Sequence, residues 1–290
     1  VKKIIFAGYA TDPLNCSYID ELLDLTISKK AIFGFNTKAL RISDTFFNTL
    51  KNNKITDGSY ISLSVDAGSN ETYNLIHDVK AKKAKIYDQV LNNAKRLGKI
   101  KKENYFDLSA AYLVNINSAN LNDYEIFIND FMRAGCNVLR FSFPQIPKGV
   151  QTMKGVVPTQ KEIEFYISDL NKLKRKYEND KCLILVSNPD ADHDIYDKPR
   201  TLPCYARYLF PTVGFDGCLY NCSQSSAPNF RSTALGDLTT NNFWDLFYNY
   251  DNKNLDGYMS ICNKKIAESG CKCDRKEHII NQSVKDSKVF

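Results

Sequence analysis

Residues 60–66, YISLSVD, decide the fold: a short apolar run that opens on Tyr60 and Ile61 and ends in polar residues, Ser62, Ser64 and Asp66. Such a run reads as a β-strand. Downstream, a helix is expected at about residues 83–97, ending at Gly98, the residue that commonly follows a last helical turn. Upstream, Ala31–Thr37 (AIFGFNT) is another strand, with a short helix at Asp44–Leu50 between the two. Further upstream, Ile4–Tyr9 is apolar enough for a strand buried on both faces. GYATDPL (8–14) is loop chemistry, and Asn15 or Ser17 is placed to cap a helix with Ile19, Leu22, Leu23, Thr26 and Ile27 at helical spacing. On the other side follow a strand at Leu108–Asn115, a helix at Asp123–Arg133 and a strand at Val138–Pro144. Thr159 then caps a helix to about Tyr177, and Cys182–Ser187 is the sixth strand.

Strand alternating with helix implies right-handed crossovers and a parallel sheet. Loops at the carboxyl ends of parallel strands make the ligand site, in open sheets and barrels alike. Those ends read Gly8-Tyr9…Asp12, Asn36-Thr37-Lys38, Ser64…Asp66, Asn115 and Arg140. Tyr9, Asn36, Ser64, Asp66, Asn115 and Arg140 are therefore expected to line one mouth. The plainer readings are helix capping for Ser64 and Asp66 and an internal ion pair for Arg140.

Six of the nine cysteines fall in the last third of the chain: Cys204, Cys218, Cys222, Cys262, Cys271 and Cys273. Cys204 and Cys222 flank a turn, Gly214-Phe215-Asp216-Gly217, and glycines let a backbone fold tightly around a thiolate site. Metal or iron–sulfur ligation is one reading; buried free thiols and disulfides are the others. Ahead of this segment, residues 191–203 are acidic, Pro-marked and without periodicity, a linker between domain 1–190 and domain 204–290. His193 beside Asp192 and Asp194 is a metal-ligand candidate or a solvated linker residue. Strands at about 207–213 and 218–222 form a hairpin, Phe243, Trp244, Leu246 and Phe247 build a helix, and the tail beyond His278 is expected to fray.

With 290 residues, 43% of them hydrophobic, the chain can bury a substantial core. A net charge of +6 is modest, and AKKAK (81–85) and KLKRK (172–176) sit in helical repeats, so they read as solvated helix faces rather than a nucleic-acid surface. No apolar run approaches the ~18 residues of a membrane span. No signal-peptide pattern is visible, and the cysteine spacing is unlike that of a small secreted scaffold. A reducing cytoplasm is the expected compartment. The sequence opens at Val1 directly into the apolar run KKIIFAGY, and an N-terminal piece ahead of it is expected.

FAGYATDPL after the first strand, FNTKAL after the second and LSVDAGSNETYNLIH around the third resemble the partial parallel (β/α) barrel of radical S-adenosylmethionine (radical SAM) enzymes. Cys204-x12-Gly217-x4-Cys222, followed by LGDLTTNNFWDLF (235–247), resembles the SPASM or twitch auxiliary-cluster domain, a small Cys-rich α+β domain. The resemblance implies that Gly8, Tyr9 and Asp12 stand where the family meets the methionine amino group. Asn36 and Thr37 match the next strand end, Ser64 and Asp66 the end that reaches carboxylate and ribose, and Asn115 and Arg140 later ends with similar duties. It further implies one auxiliary 4Fe–4S cluster on Cys204, Cys222, Cys271 and Cys273, with Cys218 and Cys262 in reserve, since such a cluster takes four thiolates. The CxxxCxxC loop that holds the family's first 4Fe–4S cluster is absent from these residues and is expected upstream of Val1.

The expected activity is that of an oxidoreductase or maturase that modifies a peptide or protein by hydrogen abstraction, served by a reductant such as a flavodoxin or ferredoxin. Neither nucleic acid nor membrane is an expected partner. Two rivals stay open: a non-catalytic iron–sulfur or peptide-recognition module with a degenerate barrel, and a zinc-stabilised α/β protein whose four cysteines close a tetrahedral site.

Overall fold

The computed structural model describes residues 1–8, 11–81, 83–115, 121–144, 158–187, 205–226, 228–248 and 275–287. They fall into two compact units, the first built on residues up to 187 and the second on residues from 205.

The first unit is one six-stranded sheet: β1 (Lys3–Ala7), β2 (Ile32–Thr37), β3 (Tyr60–Ser64), β4 (Asp107–Leu113), β5 (Val138–Ser142) and β6 (Leu183–Val186), in that spatial order. Every neighbouring pair is parallel. Because the order never reverses, right-handed crossovers bring all connecting helices to the same face. Those helices are α1 (Ile19–Ser28), α2 (Asp44–Asn52), α3 (Asn70–Ile76), α4 (Ile86–Glu103), α5 (Leu121–Arg133) and α6 (Gln160–Tyr177). The result is the wall of a partial barrel, not a doubly wound sheet.

Burial follows the strand period of two. Phe33, Phe35, Ile61, Leu63, Leu108, Ala110, Tyr112, Leu139, Phe141 and Ile184 face the helices and are buried in one continuous core. Each large side chain of that set contributes about 1.5–3 kcal/mol by leaving water. Residues of the opposite parity, among them Asn36, Ser62, Ser64, Ser109 and Arg140, form an inner face that stays partly exposed. Tyr112, Phe127 and Phe141 pack edge-on and stacked at 5.3–5.7 Å between centroids, joining α5 to β4 and β5.

The structure departs from the sequence expectations at several places. β1 is not buried on both faces: Ile4 and Ile5 are 36% and 39% exposed, because β1 is the edge of the described sheet and β2 is its one partner there. The first helix is capped by neither Asn15 nor Ser17. A 3-10 turn at Pro13–Asn15, capped by Asp12, comes first, and α1 starts after Tyr18 with no side-chain cap. Leu22 faces outward while Ile19, Leu23, Thr26 and Ile27 are buried.

The helix expected at about 83–97 is α4, which starts at Ile86 and runs through Gly98 to Glu103. Ahead of it stands a short helix that the sequence reading did not include, α3, capped by Ser69. Gly98 is no terminator but a close-approach point: a Cβ there would lie 1.8 Å from the Ala134 carbonyl oxygen. At α6 the expected cap is present as a full capping box, Thr159 with Glu162.

In the second unit, β7 (Thr212–Val213), β8 (Cys218–Tyr220) and β9 (Gly236–Asp237) form an antiparallel sheet in that order, with the expected turn at residues 214–217. Gly217, at φ 76°, supplies the left-handed step. The expected strand from 207 is shorter, because Ala206–Leu209 is a one-turn helix. The helix Phe243–Phe247 buries Leu246, with Asn242 as its cap. The tail beyond His278 does not start to fray there: a helix spans Arg275–Asp286, and its buried Asn281 accepts from the Tyr205 N–H at 2.8 Å. Among the described residues no helix is long and apolar enough to cross a membrane.

Candidate functional site

The carboxyl ends of β1 to β5 point the same way, so the polar strand ends share one rim. Two registers across the inner face carry them. Asn36 pairs with Ser62 and Ser62 with Ser109; one pleat further, Ser64 pairs with Ala111 and Ala111 with Arg140. Ser64 and Arg140 therefore stand on one row of one face. Thr37 falls on the opposite face by the strand period and is buried.

Below this row lies Tyr60. Gly34, its partner on β2, leaves room for the ring: a Cβ there would lie 2.5 Å from the Tyr60 ring carbons. The Asn36 side chain neighbours the Tyr60 hydroxyl, and the Lys3 ammonium sits 4.9 Å from the ring centroid. Burial raises the Tyr60 pKa, against the opposing pull of Asn36 and the Arg140 charge.

At the β1 end, Asp12 ties two loops together. Its carboxylate accepts from the Leu14 N–H at 2.9 Å, from the Thr37 hydroxyl at 2.7 Å and from the Lys38 N–H at 2.5 Å. Thr37 in turn accepts from the Ala39 N–H. Gly8 precedes this loop where a Cβ would collide with the Thr11 carbonyl.

At the β3 end, Asp66 takes up φ 61°, rare for a residue with a side chain. Its Oδ1 accepts from the Leu113 N–H at 2.9 Å, fastening β3 to β4. Burial raises the Asp66 pKa, while that N–H and the charges of Lys38 and Arg140 hold it down. His77 Nε2 lies 3.4 Å from the Val65 carbonyl oxygen and 3.9 Å from Asp66 Oδ2. The Tyr73 ring packs 4.3 Å from the imidazole, and its hydroxyl pKa is pushed up to about 12 by burial and then by Asp66 and Asp12. Burial and the Lys38 charge lower the His77 pKa. Asn115 is buried just past β4.

Behind the rim, buried Asp123 accepts from the Gly68 N–H at 2.7 Å, the Thr72 hydroxyl at 2.9 Å and the Tyr112 hydroxyl at 2.6 Å. It anchors the start of α3 to β4. Thus Asn36, Ser64, Asp66 and Arg140 are brought to one rim, and Asp12 and Thr37 bind each other at its side. Tyr9 lies outside the described residues. Sequence reasoning assigned no role to Tyr60, Tyr73 or His77. Only the helical return of α3 brings Tyr73 and His77 back to the strand end.

Of the C-terminal cysteines, Cys218 and Cys222 are described; Cys204, Cys262, Cys271 and Cys273, with His193 and the linker, lie outside the described residues. Cys218 opens β8, which ends at Tyr220, so Cys222 lies past the strand and its even offset from Cys218 does not place both on one strand face. Cys222 Sγ is 3.4 Å from Ser225 Oγ, which donates to the Cys222 carbonyl at 2.9 Å. Among the described residues no group of three or more His, Cys, Asp and Glu is placed to hold a metal ion. Cys136 and Cys182 are buried thiols of the first unit; burial raises both pKa values, that of Cys182 to about 11.

Neither a protein-family model nor a curated protein sequence matches the chain. Solved structures do match its fold. The crystal structure of Streptococcus suis SuiB superposes with a TM-score of 0.59 at 11% identity, over 88% of this chain and 56% of that one. SuiB bound to S-adenosylmethionine gives 0.59 at 12% identity, over 89% and 56%. SuiB bound to the precursor peptide SuiA gives 0.58 at 12%, over 88% and 54%. The chain thus shares the SuiB fold and spans a little over half the SuiB length.

Proposed function

We propose that the chain is the greater part of a radical SAM enzyme that modifies a peptide or protein. The observation that carries this reading is the inner face. A parallel sheet with all its helices on one side leaves Asn36, Ser64, Asp66 and Arg140 on a common rim, in a fold shared with a protein crystallised with S-adenosylmethionine and with a precursor peptide. The donor set suits that ligand: carboxylate and hydroxyls for ribose, guanidinium for the methionine carboxylate, and amide side chains for the base and amino group. In this reading Asp66 and Ser64 take the ribose, Arg140 takes the carboxylate, and Asn36 and Asn115 line the remainder. Asp12, already holding three donors, sets the Gly8 and Thr37 loops in place beside them. The cofactor, when bound with its 4Fe–4S cluster, supplies hydrogen-atom abstraction; the protein orients it and excludes water.

Two further parts belong to the proposal. The outer edge of β1 carries an apolar recess of about 400 Å³ lined by Val1, Ile4, Phe6, Leu22 and Leu25. We assign it to one more parallel strand from upstream, bearing CxxxCxxC at its end. The second unit, residues 204–290, is read as a SPASM/twitch-like domain whose cluster ligands are Cys204, Cys222, Cys271 and Cys273. The deciding experiment uses the full gene product, reconstituted anaerobically with iron and sulfide and reduced with dithionite. S-adenosylmethionine should bind and be converted to 5′-deoxyadenosine, and an upstream CxxxCxxC should be encoded within ~60 residues of Val1, roughly one βα unit. Failure of both binding and conversion overturns the reading. The fold shared with a protein crystallised with a precursor peptide also supports, as second reading, a peptide-recognition module; peptide binding without cofactor binding would establish it.

A further inference from the structure

In a ladder that continued past β3, with the Val65 N–H already on the Ala111 carbonyl, the Leu113 N–H would donate to the Val65 carbonyl. It donates to Asp66 Oδ1 instead, at 2.9 Å, and the Val65 carbonyl turns to His77 Nε2 at 3.4 Å. The exchange coincides with the left-handed step at Asp66, φ 61°, a conformation that costs about 1–3 kcal/mol and persists only where its surroundings fix it.

We propose that His77 is a positioning residue: its Nε2–H holds the Val65 carbonyl out of the ladder, which keeps Asp66 in its left-handed turn with its carboxylate on Leu113 and on the rim. This rests on reading the rim as the S-adenosylmethionine site, where Asp66 meets the ribose.

Three observations carry the assignment. A carbonyl brings no proton, so the contact binds only if the proton is on Nε2; the neutral ring, favoured by burial and by Lys38, then has one tautomer. The imidazole is itself rigidly held. The His77 backbone N–H donates to the Tyr73 carbonyl at 3.0 Å, and its ring packs against buried Tyr73. The far end of α3 is pinned by the Ser69 cap and by Gly68 and Thr72 on Asp123. A helix fixed at its start thus carries His77 back to the strand end it left. The charged groups around the ring are Asp66 beyond β3, Lys38 beyond β2 and, past Tyr73, Asp12 beyond β1.

The test compares His77→Gln, whose amide can still donate to Val65, with His77→Phe, which keeps an aromatic ring against Tyr73 without a donor. It uses the full-length protein. Native-state hydrogen exchange at the Leu113 amide should be unchanged in His77→Gln and ~10-fold faster in His77→Phe, the loss expected for one hydrogen bond. Equilibrium dialysis with S-adenosylhomocysteine should follow the same order, ~10-fold weaker for His77→Phe. In the unmodified protein, imidazole ¹⁵N shifts should report the Nε2–H tautomer. An Nδ1–H tautomer overturns the proposal, even if His77→Phe does not fold. So does equal Leu113 exchange in wild type and His77→Phe, or equally fast exchange in both variants. If exchange behaves as expected and the wild type binds no S-adenosylhomocysteine, the positioning role stands and the cofactor reading falls.

Discussion

Replacing Gly98 by Ala should destabilise the first unit, although alanine is the better helix former. The propensity gain inside α4 is about 1 kcal/mol. Against it stands a Cβ built 1.8 Å from the Ala134 carbonyl oxygen and 2.9 Å from its carbon, where carbon and oxygen ordinarily stay roughly 3.3 Å apart or more. Relief requires a shift of more than about 1 Å between two stretches of main chain, since no flexible side chain stands in the way. The turn cannot yield easily: Gly135, at φ 95°, sits on the other side of the same contact, and the Lys101 ammonium bonds the Gly135 carbonyl and Asn137 Oδ1, both at 2.9 Å. Overpacking of this kind costs about 1–3 kcal/mol or more, and loosening the Lys101 bonds adds about 1 kcal/mol. With the propensity gain set against these costs, the net loss is about 1–3 kcal/mol. With a urea slope of about 2–3 kcal/mol/M, the midpoint followed by far-UV circular dichroism should fall by up to about 1 M. A midpoint equal to or above wild type would show that α4 and the α5–β5 turn do not meet as described.

Asp123→Ala strips two buried donors, the Gly68 N–H and the Tyr112 hydroxyl, and the half-buried Thr72 hydroxyl of their acceptor, and should cost about 3–5 kcal/mol; calorimetry that finds a loss under about 1 kcal/mol would contradict the anchoring role. His77 has a folded-state pKa below its ordinary 6.5, so its contribution is complete above that value and lost as pH falls through the folded pKa. Stability curves of wild type and His77→Gln should therefore run parallel above about pH 7.5 and diverge below 6.5, with wild type declining faster; parallel curves throughout would refute the burial argument. Cys222→Ala should lower the iron bound after anaerobic reconstitution, whereas Cys136→Ala and Cys182→Ala should leave it unchanged; iron content indifferent to Cys222 would remove it from the ligand set.

The parallel sheet was legible because all six strands are short apolar runs separated by helical spacing, a pattern that admits few topologies. The rim was legible in part. Asn36, Ser64 and Arg140 could be found as strand ends, and counting by two would also have put Thr37 on the other face. Local reading failed where tertiary contact overrides a local signal. Gly98 has the look of a stop, yet the Ala134 carbonyl, remote in sequence, explains it. Asn15 and Ser17 are good caps, but Asp12 and Pro13 start a 3-10 turn first. The roles of Tyr60 and His77 depend on a glycine in the neighbouring strand and on a helix that doubles back, and neither leaves a mark in the spacing.

The exposed rim of β1 also bears on how these residues behave as a separate polypeptide. An edge strand with Ile4 and Ile5 uncovered offers main-chain donors and acceptors to any extended segment, including the same strand of another copy. Lys2 and Lys3 place two positive charges at its start and oppose that pairing by repulsion, a brake that added salt weakens. Preparations limited to Val1–Phe290 should accordingly self-associate more as ionic strength rises, and a charge introduced at Ile5 should suppress it.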